Sequence, residues 1–431
     1  MKFKSIKVSA VADPILGGTP KRSESRYWGG DIKWASAKDV AQTSSRYITE
    51  TLETITEEGV KHSAAKVLPK DTIVITARGT VGEMRLLGQP MAFNQSCYGL
   101  VSKDNIDNMY LFYALKYITD SIKSASYGTV FDTITKKTFD LLKIPYPSYE
   151  EQIKFSSILD SLDRKIELNQ KMNTTLEEMA MTLYKHWFID FGPFQDEEFV
   201  ESELGMIPKG WTIHKYSDLL DSYIGGDWGK DEPNEIENVE VGVIRGADFD
   251  KLSNGEFGNI PKRFIKTNSF DKRRMMERDI IIENSVNSST RCVGKSFIVT
   301  KELINILGTN LICASFCKLF RLKEKKFASL AYLHLNYLYD TGKMEDYQNV
   351  SSNGIGNFQA KEFVKMEGIP MPNDFKQIKD IIDTFNNIID QISLNRSEVF
   401  QLSSLRDYLL PRLLSGEIDL SKAEKQVEKV L

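Results

Sequence analysis

The chain has 431 residues, a formal net charge of −4, and 27% charged against 41% hydrophobic residues. That balance excludes a disordered polyelectrolyte and a uniformly basic nucleic-acid coat, and no apolar run approaches the ~18 residues of a membrane span. The length exceeds what one core ordinarily organises, so two or three domains are expected.

The four cysteines, Cys97, Cys292, Cys313 and Cys317, form no Cys-x-x-Cys pair, and the four histidines, His62, His186, His214 and His334, lack ligand spacing. Reduced thiols and no metal site are the expectation. The first residues, "MKFKSIKVSAVADPILGG", lack the apolar core of a secretory signal, so cytoplasmic residence is expected.

In chain order the sequence reads as one plan written twice. The stretch "FKSIKVSAVADPILGG" (3–18) returns as "WTIHKYSDLLDSYIGG" (211–226), both ending in Gly-Gly. "IKWASAKDV" (32–40) answers "VGVIRGADF" (241–249), and "TVGEMRLL" (80–87) answers "CVGKSFIV" (292–299). Residues 72–76 and 279–282 are β-rich and bounded by breakers, which predicts strands. Residues 108–122 carry helical spacing. Each half is therefore expected to be α+β with long loops.

Each half ends in Ile-Pro-x-Pro, at 144–147 and 369–372, followed by Gln-Ile-Lys and an apolar repeat of alternating three and four residues. In the first copy the repeat runs Leu159, Leu162, Ile166, Asn169, Asn173, Leu176, Ala180, Leu183 and Trp187. An offset of about 226 gives Phe385, Ile388, Ile392, Asn395, Val399, Leu402, Arg406, Leu409 and Leu413, with Arg406 the poor match. This is the seam of a helix packed along a partner helix. About 40 residues make a rod of roughly 60 Å. The globular segment between the helices favours antiparallel pairing, with Asn169 and Asn395 as register-setting seam residues. The expected layout is a domain at 1–147, a helix at 148–190, a linker and second domain at 191–373, a helix at 374–416 and a tail at 417–431.

The loops concentrate basic and polar residues at corresponding places. The first half offers Thr19, Lys21, Arg22, Arg26, Lys33, Arg78, Thr80, Tyr127, Lys136 and Lys137. The second offers Arg245, Lys262, Arg263, Arg273, Arg274, Arg291, Lys295, Asn353 and Asn357. Lysine and arginine beside Gly, Ser and Thr suit phosphate contact, and Arg, Asn and Gln also suit base edges. No phosphate-binding Gly-x-x-x-x-Gly-Lys-Ser/Thr loop, dinucleotide-type glycine fingerprint, Asn/Asp-Pro-Pro-aromatic tetrapeptide or nucleophile elbow occurs. A self-sufficient DNA enzyme lacks its residues here. A pure assembly scaffold leaves the loop clusters unexplained.

Four strings in this order, "IPYPSYEEQIKFSSILDSLDRKIELNQ", "LYKHWFIDFGPF", "GMIPKGW" and "LRDYLLPRLLSGEIDL", resemble the specificity subunits of type I restriction–modification systems. The resemblance covers nearly the whole chain. The second copy departs from the first copy's Gly-Gly-Thr-Pro turn, reading Gly225-Gly226-Asp227-Trp228. The resemblance implies two pseudo-symmetric target-recognition domains separated by a pair of long antiparallel coiled-coil helices. It implies a non-catalytic subunit in which each domain reads half of a bipartite, asymmetric double-stranded DNA target. It implies that the helices set the gap and dock two modification subunits, with restriction subunits joining them. S-adenosylmethionine, ATP and Mg are then expected in the partners and no cofactor in this chain.

Overall fold

The computed structural model describes residues 3–43, 45–125, 133–287 and 291–431. They form two compact units, Met1–Glu167 with Leu402–Leu431, and Leu168–Gln401. The divide falls inside both long helices, so each unit holds a globular part and a stretch of each helix.

Unit 1 begins with β1 (Lys4–Lys7), the single turn α1 (Val8–Val11) and β2 (Ala12–Leu16). Next come β3 (Trp28–Ala35), α2 (Ala37–Gln42), β4 (Tyr47–Ile48), β5 (Glu53–Ile55) and α3 (Glu57–Lys61). Then follow β6 (Ile73–Thr76), β7 (Met84–Leu87), β8 (Ala92–Phe93) and β9 (Cys97–Ser102). Helices α4 (Asn108–Ala125) and α5 (Lys136–Leu141), strand β10 (Lys143–Tyr146) and the long α6 (Tyr149–Phe188) complete it. The main sheet has the order β2-β9-β6-β7-β4, and a smaller one β5-β3-β8. Every residue of β6 is buried, as a central strand covered on both faces requires. Strand β1 pairs with β10, setting Ile6 opposite Ile144, so the chain's start closes onto the residues that lead into α6.

Unit 2 begins with the hairpin β11 (Phe199–Ser202) and β12 (Gly205–Pro208), then β13 (Trp211–Lys215), α7 (Tyr216–Leu219) and β14 (Leu220–Gly225). β15 (Val239–Ile244), α8 (Phe249–Ser253), β16 (Lys262–Ile265), α9 (Thr267–Arg273), β17 (Ile280–Glu283) and β18 (Ser285–Asn287) follow. Next are β19 (Ser296–Ile298), α10 (Lys301–Leu307), β20 (Leu311–Cys313), β21 (Cys317–Leu322) and α11 (Ala328–Asp340). The unit closes with β22 (Gln348–Val350), β23 (Ile355–Phe358), α12 (Ala360–Met366) and β24 (Gly368–Pro372). Then α13 (Lys379–Ser415) and α14 (Leu420–Val427) end the chain, Leu402 onwards belonging to unit 1.

The duplication is visible strand by strand. The order β14-β21-β17-β19 repeats β2-β9-β6-β7, β16-β15-β20 repeats β5-β3-β8, and β13·β24 repeats β1·β10. Two differences refine the sequence alignment. A bulge between Leu220 and Ser222 adds one residue to β14, which moves the correspondence onto Gly17 and Gly226 rather than Gly18 and Gly226. The repeated Gln-Ile-Lys strings also do different work. Gln152 is fully buried; its Oε1 accepts from the Asp107 amide at 2.8 Å and its Nε2 donates to the Pro147 carbonyl at 3.1 Å. In the second copy Gln377 is exposed and Ile378 is the buried residue. The cause lies at the helix cap: Ser148, directly after Pro147, caps α6 together with Glu151, whereas Asp374, separated from Pro372 by Asn373, caps the 3₁₀ turn Phe375–Ile378 ahead of α13. One extra residue between proline and cap shifts the helix register by one.

Candidate nucleic-acid interface

The glycine turns come first because backbone alone builds them. In unit 1 the Gly17 and Gly18 amides donate to the carbonyls of Cys97 (3.1 Å) and Phe93 (2.9 Å). In unit 2 the Gly226 and Asp227 amides donate to those of Cys317 and Cys313, both at 3.0 Å. A Cβ on Gly17 or Gly226 would lie 2.2 Å from a backbone oxygen, of Asn94 or Ala314. Only glycine permits that approach. Asp227 therefore takes the place of Gly18, and the turn keeps its geometry.

Beyond each turn an arginine lies over a tryptophan. The Arg22 guanidinium sits 3.9 Å from the centre of the Trp28 ring and forks onto Glu53. Arg263 sits 4.6 Å from Trp228 and meets Asp231. Hydrogen bonding between Arg22 and Glu53 raises the arginine pKa and lowers that of the carboxyl.

Most of the predicted cations are likewise held by acids of their own unit. Lys33 meets Glu50, Lys262 meets Glu240 at 2.8 Å, Arg291 meets Glu283 at 2.6 Å, and Lys295 meets Asp250. Arg26 lies 3.5 Å from Glu24, and Lys21 3.9 Å from the same acid. Arg245 stands where Ser36 stands in unit 1, at the start of a helical turn, and binds Asp248 as Ser36 binds Asp39. Glu283 is pushed up by burial despite Arg291 and Lys295.

Arg78, Lys136, Lys137 and Arg274 are exposed and meet no carboxylate among the described residues. Arg273 supports the fold, donating to the Gly225 carbonyl at 2.9 Å and to Ser269 at 3.0 Å. Thr19 bonds Gln95, and Thr80 is exposed with its carbonyl accepting from Thr76. Asn353 orders the tip of the β22–β23 hairpin through Ser351 at 2.6 Å. The Asn357 side-chain oxygen Oδ1 accepts from the Ser285 hydroxyl at 2.8 Å. Tyr127 lies outside the described residues.

The helix pair is polar at places where periodicity alone predicts an apolar seam. In unit 1, Leu159, Leu162, Ile166, Leu402, Leu409 and Leu413 are buried. Arg406 reaches Asp163 at 2.8 Å, which also accepts from the Tyr113 hydroxyl at 2.7 Å. Arg46 joins them, donating to Asp160 at 2.7 Å and Glu167 at 2.9 Å. Burial opposes charge on Asp163, yet Arg406 and Arg46 outweigh it and hold the carboxyl below its ordinary value.

In unit 2, Asn169 donates to Glu398 and Asn395 to Asn173, both at 2.8 Å. Phe385, Ile388 and Ile392 are buried. Leu176, Leu183 and Trp187 are only half-buried, while Ala180, Tyr184 and Phe188 are buried. A straight helix turns every 3.6 residues, so a strict 3.5-residue pattern drifts off the contact face by one position. Within unit 2 the pairs 169 with 398 and 173 with 395 run in opposite directions along the chain, so the two helix stretches there are antiparallel.

The Arg46 cluster, the exposed Phe316 (67% accessible) and Asn349 carry no clear signal in the sequence. An arginine beside two serines has no periodicity to mark it. An uncharged run, Gln348 to Gln359, is the one clue to Asn349. No group of His, Cys, Asp and Glu among the described residues is placed to hold a metal. Burial pushes the Cys97 and Cys317 thiols up to about 12, so they stay protonated.

The family model Type I restriction modification DNA specificity domain matches residues 2–178. The type I restriction enzyme MjaIX specificity subunit of Methanocaldococcus jannaschii is 30% identical over 428 residues, 96% of this chain and 92% of that protein. The MjaVIII specificity subunit of the same organism is 24% identical over 385 residues, 84% of each. A crystal structure of a type I restriction–modification S subunit from M. genitalium shares the fold, with a TM-score of 0.59 over 96% of each chain at 14% identity. The duplicated α+β modules, the antiparallel helix stretches and this full-length similarity place the chain in the family of type I restriction–modification specificity subunits, the non-catalytic DNA-recognition members of those systems.

Proposed function

We propose that each globular part reads one half of a bipartite, asymmetric DNA target, and that the helix pair sets the gap and docks two modification subunits. Adenine methylation with S-adenosylmethionine then belongs to those subunits, with base flipping giving access to the target atom. ATP and Mg belong to the restriction subunits that join them, in the cytoplasm. The observation that carries this reading is the duplication itself: one strand order is built twice, with different loops at corresponding positions. Different loops imply different half-sites, hence an asymmetric target. In this reading Arg78, Lys136, Lys137 and Arg274 contact phosphates directly. The acid-paired cations exchange a carboxylate for a phosphate on binding. Mapping methylated adenines in cells carrying the whole system should reveal an asymmetric motif with a central gap. A continuous palindrome would overturn the reading. Inserting four residues near Asn173, about 6 Å of helix, should change the gap and leave both half-sites intact.

A further inference from the structure

Unit 2 carries a three-stranded antiparallel sheet, β18-β23-β22, with no counterpart among the described residues of unit 1. Ser285 faces Asn357 and Asn357 faces Asn349 across the ladder, and Asn287 faces Ile355. Directly opposed residues share a face, as do alternate residues along a strand. One face thus presents Ser285, Asn287, Asn349, Asn357 and the exposed Ile355. Val286 and Phe358, on the other face, are buried. From Gln348 to Gln359 there is no charged side chain, and none in β18. A solvent-facing sheet without charge is poorly suited to phosphate and well suited to base edges. A β-ribbon also fits the major groove.

We propose that this face reads base pairs in the half-site of unit 2, with Asn349 and Asn357 matched to adenine. The inference rests on the DNA-reading role proposed above. A side-chain amide offers two acceptor and two donor positions. Asn357 uses one acceptor position for Ser285 at 2.8 Å and one donor for the Ile355 carbonyl at 3.4 Å. One of each remains, the pair that adenine N6 and N7 require. Asn349 is exposed, and its side-chain amide makes no hydrogen bond among the described residues. Ile355, 40% exposed on the same face, suits a thymine methyl. The face is pre-ordered. The Phe358 amide donates to the Asn284 carbonyl at 2.8 Å, and the Asn284 amide to that of Phe316 at 2.7 Å. Little ordering is then left for binding.

The test is methylated-adenine mapping of the complete system carrying Asn349→Ala, Asn357→Ala or the milder Asn349→Ser. The half-site of unit 2 should relax at one or more positions, with preference for the favoured base falling about 5- to 150-fold. The other half-site, the gap and the salt dependence of binding should stay unchanged. A normal wild-type motif that none of the variants alters overturns this inference alone. Loss of methylation at both half-sites in all three variants, with assembly intact, also overturns it. A wild-type map without a gapped motif overturns the parent reading and this one together.

Discussion

Replacing Arg46 with Met tests whether the polar cluster on α6 holds unit 1 together. The Arg46 side chain is 9% exposed and donates to Asp160, Glu167 and the Tyr113 hydroxyl. Removing one member of a buried ion pair costs about 3–5 kcal/mol, because the other charge is stranded. Here Asp163 keeps Arg406 at 2.8 Å and Tyr113 at 2.7 Å, and Asp160 keeps Arg164 at 2.6 Å. The low end, about 3 kcal/mol, is therefore expected, equivalent to roughly 150-fold in the opening equilibrium. A single melting curve does not isolate one unit of a multidomain chain. Amide hydrogen exchange does. Protection in β6 and β9 should fall by about that factor, while β17 and β21 in unit 2 stay protected. Arg46→Lys should recover only part, since an ammonium lacks the guanidinium fork. A loss under tenfold, or an equal loss in both units, would refute the assignment.

The same cluster has an acid signature. Asp163 has a folded pKa below its unfolded value of ~3.9. Its contribution is thus complete above about pH 4 and disappears as pH falls through the folded value. Exchange protection in β6 should drop in that window, and Arg406→Met should shrink the drop; an unchanged profile would remove Asp163 as the cause. On the interface, Arg274→Ala should lower the salt slope of DNA binding by the complex by about 0.9 for each phosphate left without its cation, without altering thermal stability. Arg273→Ala should instead lower thermal stability and leave the salt slope unchanged, because Arg273 holds the Gly225 carbonyl; identical behaviour of the two variants would contradict this division. In the helix pair, Asn395→Leu leaves the buried Asn173 oxygen unpaired and should cost about 1–3 kcal/mol. Replacing both asparagines by Leu should cost less than the single change, as read by chemical denaturation; simply additive costs would argue against the hydrogen bond.

Sequence determined the duplicated plan, the α+β halves and the two long helices, because periodicity and proline punctuation are local properties of the chain. The offset of 226 within the helices was legible for the same reason: each copy repeats its own spacing. Tertiary structure decided which face of a repeated string is buried, as Gln152 against Ile378 shows, because the helix cap falls one residue later after the second Ile-Pro-x-Pro than after the first and rotates everything after it. It moved the deepest contacts from Leu183 and Trp187 to Tyr184 and Phe188, through the drift of a 3.6-residue helix. It decided which cations are held by acids, since Arg46 meets Glu167 and Arg406 meets Asp163 across 121 and 243 residues of chain. Such pairings depend on how distant segments converge, and no local pattern of residue types records that.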